Sequence, residues 1–598
     1  MRMTHLCYIY IYKFKCLEDV ELVIDTRYDF NFDKAKKHLS ISRSNLPDNF
    51  WGAGVCSLAA IFGNNGAGKS TAIEFILNAI IDANGNDYVN GIVVYEEDSE
   101  LHVYNSDPGK GLIVDIDNRP ISVNPATMLP DINTFFYTGH YVADYNYARI
   151  QTVQLDGFHN ASDGCLFRTD LEKFANTSDS YLALPYGSYL SAHISQNNYR
   201  ICRLLFNDRL RKAFPEFNYP QFILLAPNRG GYNGLKFNPI KKTDIIPEIK
   251  DYIEFPNIRG FIDFKNQVLA QFIHFNILNA IAETHLLGPS STILKRWYDF
   301  FNPAEEALPQ FQAFAADQNE NEKKILYYIN DILSGMYNNT LFNEKTGAFY
   351  IDAFKETDRV EKFIEDVCKR NFYLTSRFFD VFYAQENDAE SCTLSSGEQK
   401  MLDLFSRLYS AIELEPQTFS NLQSPSLLIL DEAEIGFHPE WQRSFIKTLV
   451  GFLHSLYVVA GFKYQIILTS HSPILLSDIP ACCCNFLKRD YKNKSTTNLR
   501  NCHEETFASN VFDLYRDSFF LNDGLIGTFA ECKLKELQDR IKQGDADVAI
   551  EIEMIGDQRL KDYYIYILHK KLLDSANKET MIRYYRKKLQ ELEKDRNE

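Results

Sequence analysis

The chain predicts an α/β fold built on a parallel sheet, and three observations carry that reading. Val55 to Phe62 is a short apolar run of strand length that feeds directly into Gly63-Asn-Asn-Gly-Ala-Gly-Lys-Ser70. Thr71 to Ile81 then repeats apolar residues at helical spacing, so strand, glycine loop and helix follow one another. Far downstream, Ser426–Leu430 and Tyr464–Leu468 are two further buried-strand runs separated by a helical stretch over Glu440–Leu456, the alternation that builds parallel sheets.

The remaining elements fall around that frame. Residues 7–25 alternate and are rich in β-branched and aromatic types, which predicts two antiparallel strands at the N-terminus. The stretch between Ser70 and Leu394 is far longer than one ordinary domain of about 100–150 residues, so a large insertion is expected there. It reads as mainly helical, with helices over Phe261–Leu287, Glu320–Met336 and Lys355–Phe378, and its heptads are never sustained enough for a long coiled coil. Lys400–Ile412 continues as a helix, and helices return from about Thr506, ending in a charged segment from Lys570. The expected division is residues 1–155 and 386–500 for the two parts of one α/β head, 156–385 for the insertion and 501–598 for a helical C-terminal region.

At 598 residues the length favours two to four domains. Apolar residues are 45% and charged residues 24%, and no stretch approaches the roughly 18 uncharged apolar residues of a membrane span, so a soluble protein without membrane association is expected. Charged residues scattered through Met1–Asp25 interrupt any secretion-signal block, and twelve cysteines are too dilute for a disulfide scaffold, both of which point to the cytoplasm. Adjacent Cys482, Cys483 and Cys484, with Cys502 and His503 beyond, cannot easily turn their sulfurs to one metal and include no C-x-x-C pair, which argues against zinc. The net charge of −17 repels a polyanion, so any nucleic-acid contact must be a local patch. Arg229 to Lys236 with Lys241 and Lys242 mixes glycines, aromatics and cations as single-strand grooves do, but a solvated hairpin loop is the favoured reading of the segment. Arg583–Lys588 is interleaved with acids and reads as an exposed helix.

The glycine loop carries the chemistry. Gly63, Gly66 and Gly68 let the backbone around Asn64, Asn65 and Ala67 curl its N–H groups inward, and the helix opening at Lys69, Ser70 and Thr71 adds its positive end, a cradle for a triphosphate. Lys69 supplies a mobile charge for the outer phosphates and Ser70 a hydroxyl for Mg²⁺, so ATP and Mg²⁺ are the expected ligands. Asp431 and Glu432 emerge where a buried strand ends, Asp431 placed to hold the metal and Glu432 to activate water. His471 lies just past the next strand, placed to touch the γ-phosphate. Ser395, Ser396, Gly397, Glu398 and Gln399 open a helix with an anion-binding corner; since the phosphate loop is already saturated, that corner is expected to serve a second copy, making a homodimer around shared ATP. The plainer reading of the same segment is a serine-capped helix.

These motifs, in this order, resemble the ATP-binding-cassette ATPase superfamily, in its non-transporter branch of recombination and chromosome-maintenance ATPases. Glu434-Ile-Gly-Phe-His-Pro-Glu-Trp-Gln442 resembles the E-I-x-L-H-P-x-W-Q run of overcoming-lysogenisation-defect-like ATPases and of AAA-family ATPases in anti-phage systems such as Septu and certain retrons. Leu46–Gly52, Thr506–Asn510 and Asp517–Leu521 are softer matches to the same group. The resemblance implies an ATPase head with an N-terminal antiparallel β subdomain, and a homodimer that regulates a separate effector, a nuclease, in antiviral defence. Two features depart from it. The glutamine that couples metal and phosphate is not assignable, although Phe135–His140 should occupy its strand. The nuclease module of the overcoming-lysogenisation-defect type is not expected either, because Asp545-Ala-Asp547 lies in charged helical surroundings without a preceding strand. A DNA-repair ATPase acting directly on DNA stands as the alternative, and a transporter ATPase subunit fits less well.

Overall fold

The computed structural model describes residues 4–81, 89–107, 112–117, 119–120, 124–126, 132–139, 157–175, 187–227, 259–283, 292–355, 357–363, 379–386, 394–413, 426–490, 495–499, 505–517, 526–545, 548–574, 582 and 586. The chain divides into two compact units, Met1–Phe519 and Phe520–Glu598.

In the first unit the strands preceding the insertion are β1 (Thr4–Phe14), β2 (Leu17–Val23), β3 (Tyr28–Asp33), β4 (His38–Arg43), β5 (Val55–Gly63), β6 (Gly91–Glu97), β7 (Glu100–Asn105), β8 (Ile113–Ile116), β9 (Arg119–Pro120), β10 (Asn124–Ala126) and β11 (Thr134–Thr138). Then come β12 (Phe158–Asn160), β13 (Phe222–Pro227), β14 (Leu341–Asn343), β15 (Ala348–Asp352) and β16 (Phe379–Ala384), and after them β17 (Ser426–Asp431), β18 (Tyr464–Ser470), β19 (Cys484–Asp490) and β20 (Ser495–Asn498). Twelve of these make one mixed sheet in the order β10-β7-β6-β1-β2-β20-β19-β5-β18-β17-β11-β12. From β19 to β12 every neighbour is parallel, with Leu430 opposite Leu468 and Tyr137, and Ala60 opposite Leu468.

The parallel strands are apolar throughout because both faces are covered. Leu427, Ile429, Phe136, Ile467 and Ile61 face the helix Lys69–Ile81, which buries Ala72, Ile73, Phe75 and Ile76 against them. Leu428, Leu430, Phe135, Ile466 and Leu468 face the opposite layer, where the helix Pro439–Ala460 contributes Phe445, Leu449, Phe452 and Leu453. Each fully buried side chain of this kind stabilises by about 1.5–3 kcal/mol, so the strands that end at the phosphate loop are held by the largest core in the chain. That helix starts where His438 accepts the N–H of Glu440 with Pro439 in the first turn, and it stops at Gly461, whose φ of +78° lies in the left-handed region.

The antiparallel N-terminal strands continue the same sheet, but β2 meets β20 through one residue pair, Leu17 with Thr496. Amide side chains close the gap. Asn485 gives and takes the two backbone bonds of Val23 at 2.9 and 3.0 Å, and Gln465 does the same for Leu6 at 2.7 and 3.1 Å. Each acts as one rung of a β-ladder.

The insertion holds the expected helices at Phe264–Glu283 and Glu320–Asn339, and of the expected helix over Lys355–Phe378 the described part is Thr357–Phe363. It also holds a four-stranded sheet, β14-β15-β13-β16, which the sequence did not foretell. A second small sheet, β3-β4-β8-β9, covers part of the N-terminal strands. The second unit packs Thr528–Gln543, Ala549–Glu553 and Gln558–Asp574 around Leu537, Ile541, Val548, Ile552, Tyr564 and Leu568. The patch at Arg229–Lys242 and the pair Cys502 and His503 lie outside the described residues, as do Ala546 and Asp547.

Candidate functional site

Three neighbouring parallel strands, β5, β18 and β17, end side by side, and each delivers one part of the motif set at its carboxyl end. From β5 the chain enters the phosphate loop. Gly66 and Gly68 take φ of +73° and +96°, a backbone open to glycine at little cost. Gly63 must be glycine for a different reason, since a Cβ there would lie 2.4 Å from the carbonyl oxygen of Leu487. The loop is closed by Ala67 N–H donating to the Asn64 carbonyl at 3.0 Å, and Arg489 at the end of β19 donates to the Gly66 carbonyl at 3.0 Å. The hairpin tip between β1 and β2 presses on the loop from outside, with Cys16 Sγ 3.8 Å from Thr71 Oγ1.

Lys69 opens the helix and is only 5% exposed. Its ammonium donates to the Gly63 carbonyl at 3.4 Å and to Nε2 of His471, and it lies 3.7 Å from Glu432 Oε1. The same Glu432 oxygen is 3.3 Å from His471 Nε2. Lys69, Glu432 and His471, named from three separate sequence motifs, therefore share one point. Burial pulls the Lys69 ammonium below the ordinary lysine value, and Glu432 and Asp431 offset only part of that.

Asp431 is the last residue of β17 and is buried, and Thr469 on β18 donates to its Oδ1 at 2.5 Å. Thr469 also accepts the Glu432 N–H through both its hydroxyl and its carbonyl, each at 3.1 Å. These bonds hold Glu432 in a left-handed conformation, φ +50°, which costs a non-glycine residue of order 1 kcal/mol and aims its carboxylate at Lys69. Strand β11 does occupy the place next to β17, with Thr138 opposite Asp431. Its end is pressed onto the acidic turn: Gly139 N–H donates to the Asp431 carbonyl at 3.0 Å, and a Cβ on Gly139 would meet the Glu432 backbone carbonyl oxygen at 2.3 Å. His140 lies outside the described residues.

Ser395–Gln399 are placed at the start of another helix, Ser396–Glu413. Ser395 N–H donates to Glu398 Oε2 at 2.8 Å and Ser395 Oγ accepts Glu398 N–H at 3.3 Å, a reciprocal capping box. Gln399 N–H donates to the Ser395 carbonyl at 2.9 Å. Both the serine-cap reading and an outward-facing corner are therefore compatible with this geometry, because Ser395 and Ser396 are exposed while Gly397 is buried under Trp441.

The residues present fit ATP and Mg²⁺. The loop curls through two positive-φ glycines, Gly66 and Gly68, Lys69 is a cation held beside it, and Ser70 and Asp431 supply the hard oxygen donors that Mg²⁺ prefers. Another acidic group, Cys7, Asp25 and Glu96, has its ligand atoms within 4.8 Å of one another, but the Arg27 guanidinium already bridges Asp25 at 2.5 Å and Glu96 at 3.0 Å. Sequence reasoning passed over Thr469, Ser470, Gly139, Arg489, and the side chains of Glu434 and Gln442. The hydroxyls flanking His471 were the available signal.

Fold and site together give a glycine phosphate loop at the end of a parallel α/β sheet, with an acidic strand end and a histidine beside it, and the chain is similar in sequence to AAA-type ATPases. Residues 330–477 match the family described as AAA domain, putative AbiEii toxin, Type IV TA system, a span that takes in Ser395–Gln399, Asp431, Glu432 and His471 and begins after the phosphate loop. The retron Vc95 probable ATPase of Vibrio cholerae serotype O1 biovar El Tor is 20% identical over 195 residues, 31% of this chain and 36% of that protein. The retron Ec83 probable ATPase of Escherichia coli is 25% identical over 312 residues, 50% of this chain and 53% of that protein. The chain thus spans about a third to about half of the length of these curated relatives. The structure of the recombination mediator protein RecF aligns at 12% identity over 83% of this chain and 98% of that one, with a TM-score of 0.23. No helix among the described residues is long and apolar enough to cross a membrane.

Proposed function

We propose that this chain binds Mg²⁺ and ATP between two copies of itself, hydrolyses the ATP, and by that cycle regulates a separate effector, a nuclease, in defence against phage. The observation that supports hydrolysis most directly is the convergence of Lys69, Glu432 and His471 at the ends of three adjacent strands. In this reading the loop amides and Lys69 bind the phosphates, and Glu432 takes a proton from the attacking water at its Oε1. His471 contacts the terminal phosphate, while Ser70 and Asp431 hold Mg²⁺, which neutralises phosphate charge. A positioned base contributes roughly 10²–10⁴-fold in rate. The exposed corner at Ser395 and Ser396 supports a site completed by the partner copy, and the retron ATPases among the relatives support the defence setting.

The experiment is phosphate release by the purified chain with Mg²⁺ and ATP, paired with light scattering of the Glu432→Gln variant. Turnover in the wild type, at least a hundredfold less in the variant, and a dimer of the variant only with ATP are the expected results. A wild type without turnover, or a variant that stays monomeric with ATP, would overturn the reading.

A further inference from the structure

The serines on either side of His471 are both fastened to the short run that follows the catalytic carboxylates. Ser470 Oγ donates to Glu434 Oε1 and accepts the N–H of Ser472 at 2.8 Å. Ser472 Oγ donates to Gln442 Oε1 at 2.8 Å, and Gln442 Nε2 in turn donates to the Phe437 carbonyl at 3.1 Å. Glu434, Ser470 and Ser472 are buried, so these bonds compete little with water and a broken one leaves a dry polar group unpaired. The imidazole Nε2 itself accepts from Lys69 and lies 3.3 Å from Glu432 Oε1.

We propose that Glu434 and Gln442 are positioning residues for His471. Glu434 fixes the residue before the histidine and Gln442 the residue after it, so the loop is held at two points and the ring cannot swing away from Lys69 and Glu432. One fastening would leave a rotation about the other, and a misplacement of about 1 Å at such a site costs on the order of 10²-fold. The same run also meets the helix of the exposed serine corner: Lys400 Nζ donates to the Ile435 carbonyl at 2.7 Å, and a Cβ on Gly397 would touch Trp441 at 2.6 Å. Histidine loop and corner are therefore set against one support, Glu434–Gln442.

This inference rests on the ATPase reading, and its test separates the two. Glu434→Ala and Gln442→Ala are expected to lower kcat about tenfold or more with KM for ATP changed less than about threefold, and Glu434→Gln, which keeps the acceptor oxygen, to recover most of the loss. Combined with His471→Ala, neither alanine change should slow the enzyme further, because a positioning residue has nothing left to position. Multiplicative losses in the double variants, or no recovery with Glu434→Gln, would overturn the inference. Amide hydrogen exchange at Ser472 reads the clamp without turnover: it should quicken in Ser470→Ala and Glu434→Ala but not in Glu434→Gln. Unchanged exchange sinks the clamp even if ATP is hydrolysed, and quickened exchange in a chain that hydrolyses nothing keeps the clamp while the ATPase reading fails.

Discussion

A carboxyl group that holds a hydroxyl in a dry pocket resists ionisation, and Glu434 is in that position. Burial pushes it up to about 7 from 4.5, against the lowering influence of the Ser470 hydroxyl, with the charge of Glu432 adding to the rise. The sign of the pH effect follows. Between pH 4.5 and about 7 the unfolded chain has released this proton and the folded chain still holds it, so the contribution of Glu434 to stability falls as pH rises through that window. Glu434→Gln cannot ionise, and its free energy of chemical denaturation should vary less steeply with pH across the same window than that of the wild type. Parallel curves for the two proteins would mean that Glu434 does not titrate there. Lys69, Asp431, Glu432 and His471 were named from the sequence because each sits in a short motif whose chemistry is local, and the structure brings Lys69, Glu432 and His471 together. Thr469 and Ser470 were not, because a hydroxyl at the end of a strand has many uses and their partners, Asp431 and Glu434, come from a different strand end.

At the scale of elements, the strands feeding the site could be read because burial on both faces makes them continuous apolar runs bounded by glycine, acid or proline. The small sheet in the insertion could not. Its strands β13 and β15 pair Ile223 with Ile351 across a stretch of helices, and β16 returns from later still, so no local alternation announces them. The amide rungs at Asn485 and Gln465 are hidden in the same way, since each serves a strand more than four hundred residues distant. Arg407 belongs to this class of unread residues. From the middle of the helix Ser396–Glu413 it bonds Asp403 and Asp163, each at 2.6 Å, donates to the Ala161 carbonyl at 2.9 Å, and lies over the Tyr137 ring of β11. It ties the helix of the serine corner to the strand beside Asp431. Removing a guanidinium that is 2% exposed strands its partners, although Asp163 at 48% and Asp403 at 21% side-chain exposure are partly screened by water. Arg407→Met should therefore destabilise the first unit by about 2–3 kcal/mol, at or just below the roughly 3–5 kcal/mol of a fully buried broken pair. Adding Asp403→Asn should restore part of that loss, and a denaturation midpoint equal to that of the wild type for Arg407→Met alone would show the network to be ornamental.

For the whole molecule, the proposed ATP sandwich makes a quantitative demand that one subunit alone cannot meet. Each composite site takes its phosphate loop from one copy and its serine corner from the other, so Lys69→Ala and Ser395→Arg should each abolish turnover when pure. In a mixed dimer one site receives both defects and the other receives neither. Random pairing at equal concentrations gives half of the dimers as mixed, each with one intact site of two, so mixing two dead proteins should return about a quarter of the wild-type rate. The exposure of Ser395 and Ser396 permits this geometry, and the capping box between Ser395 and Glu398 holds the corner within its own subunit. Arg in place of Ser395 is chosen because it blocks the outward face; it gives up the Oγ that accepts the Glu398 N–H but keeps the backbone N–H at 395 that donates to Glu398 Oε2. Phosphate release is measured for each variant alone and for the mixture at the same total concentration. Recovery to about a quarter identifies a shared site, whereas a mixture as inactive as its components means that every copy works, or fails, on its own loop and its own corner.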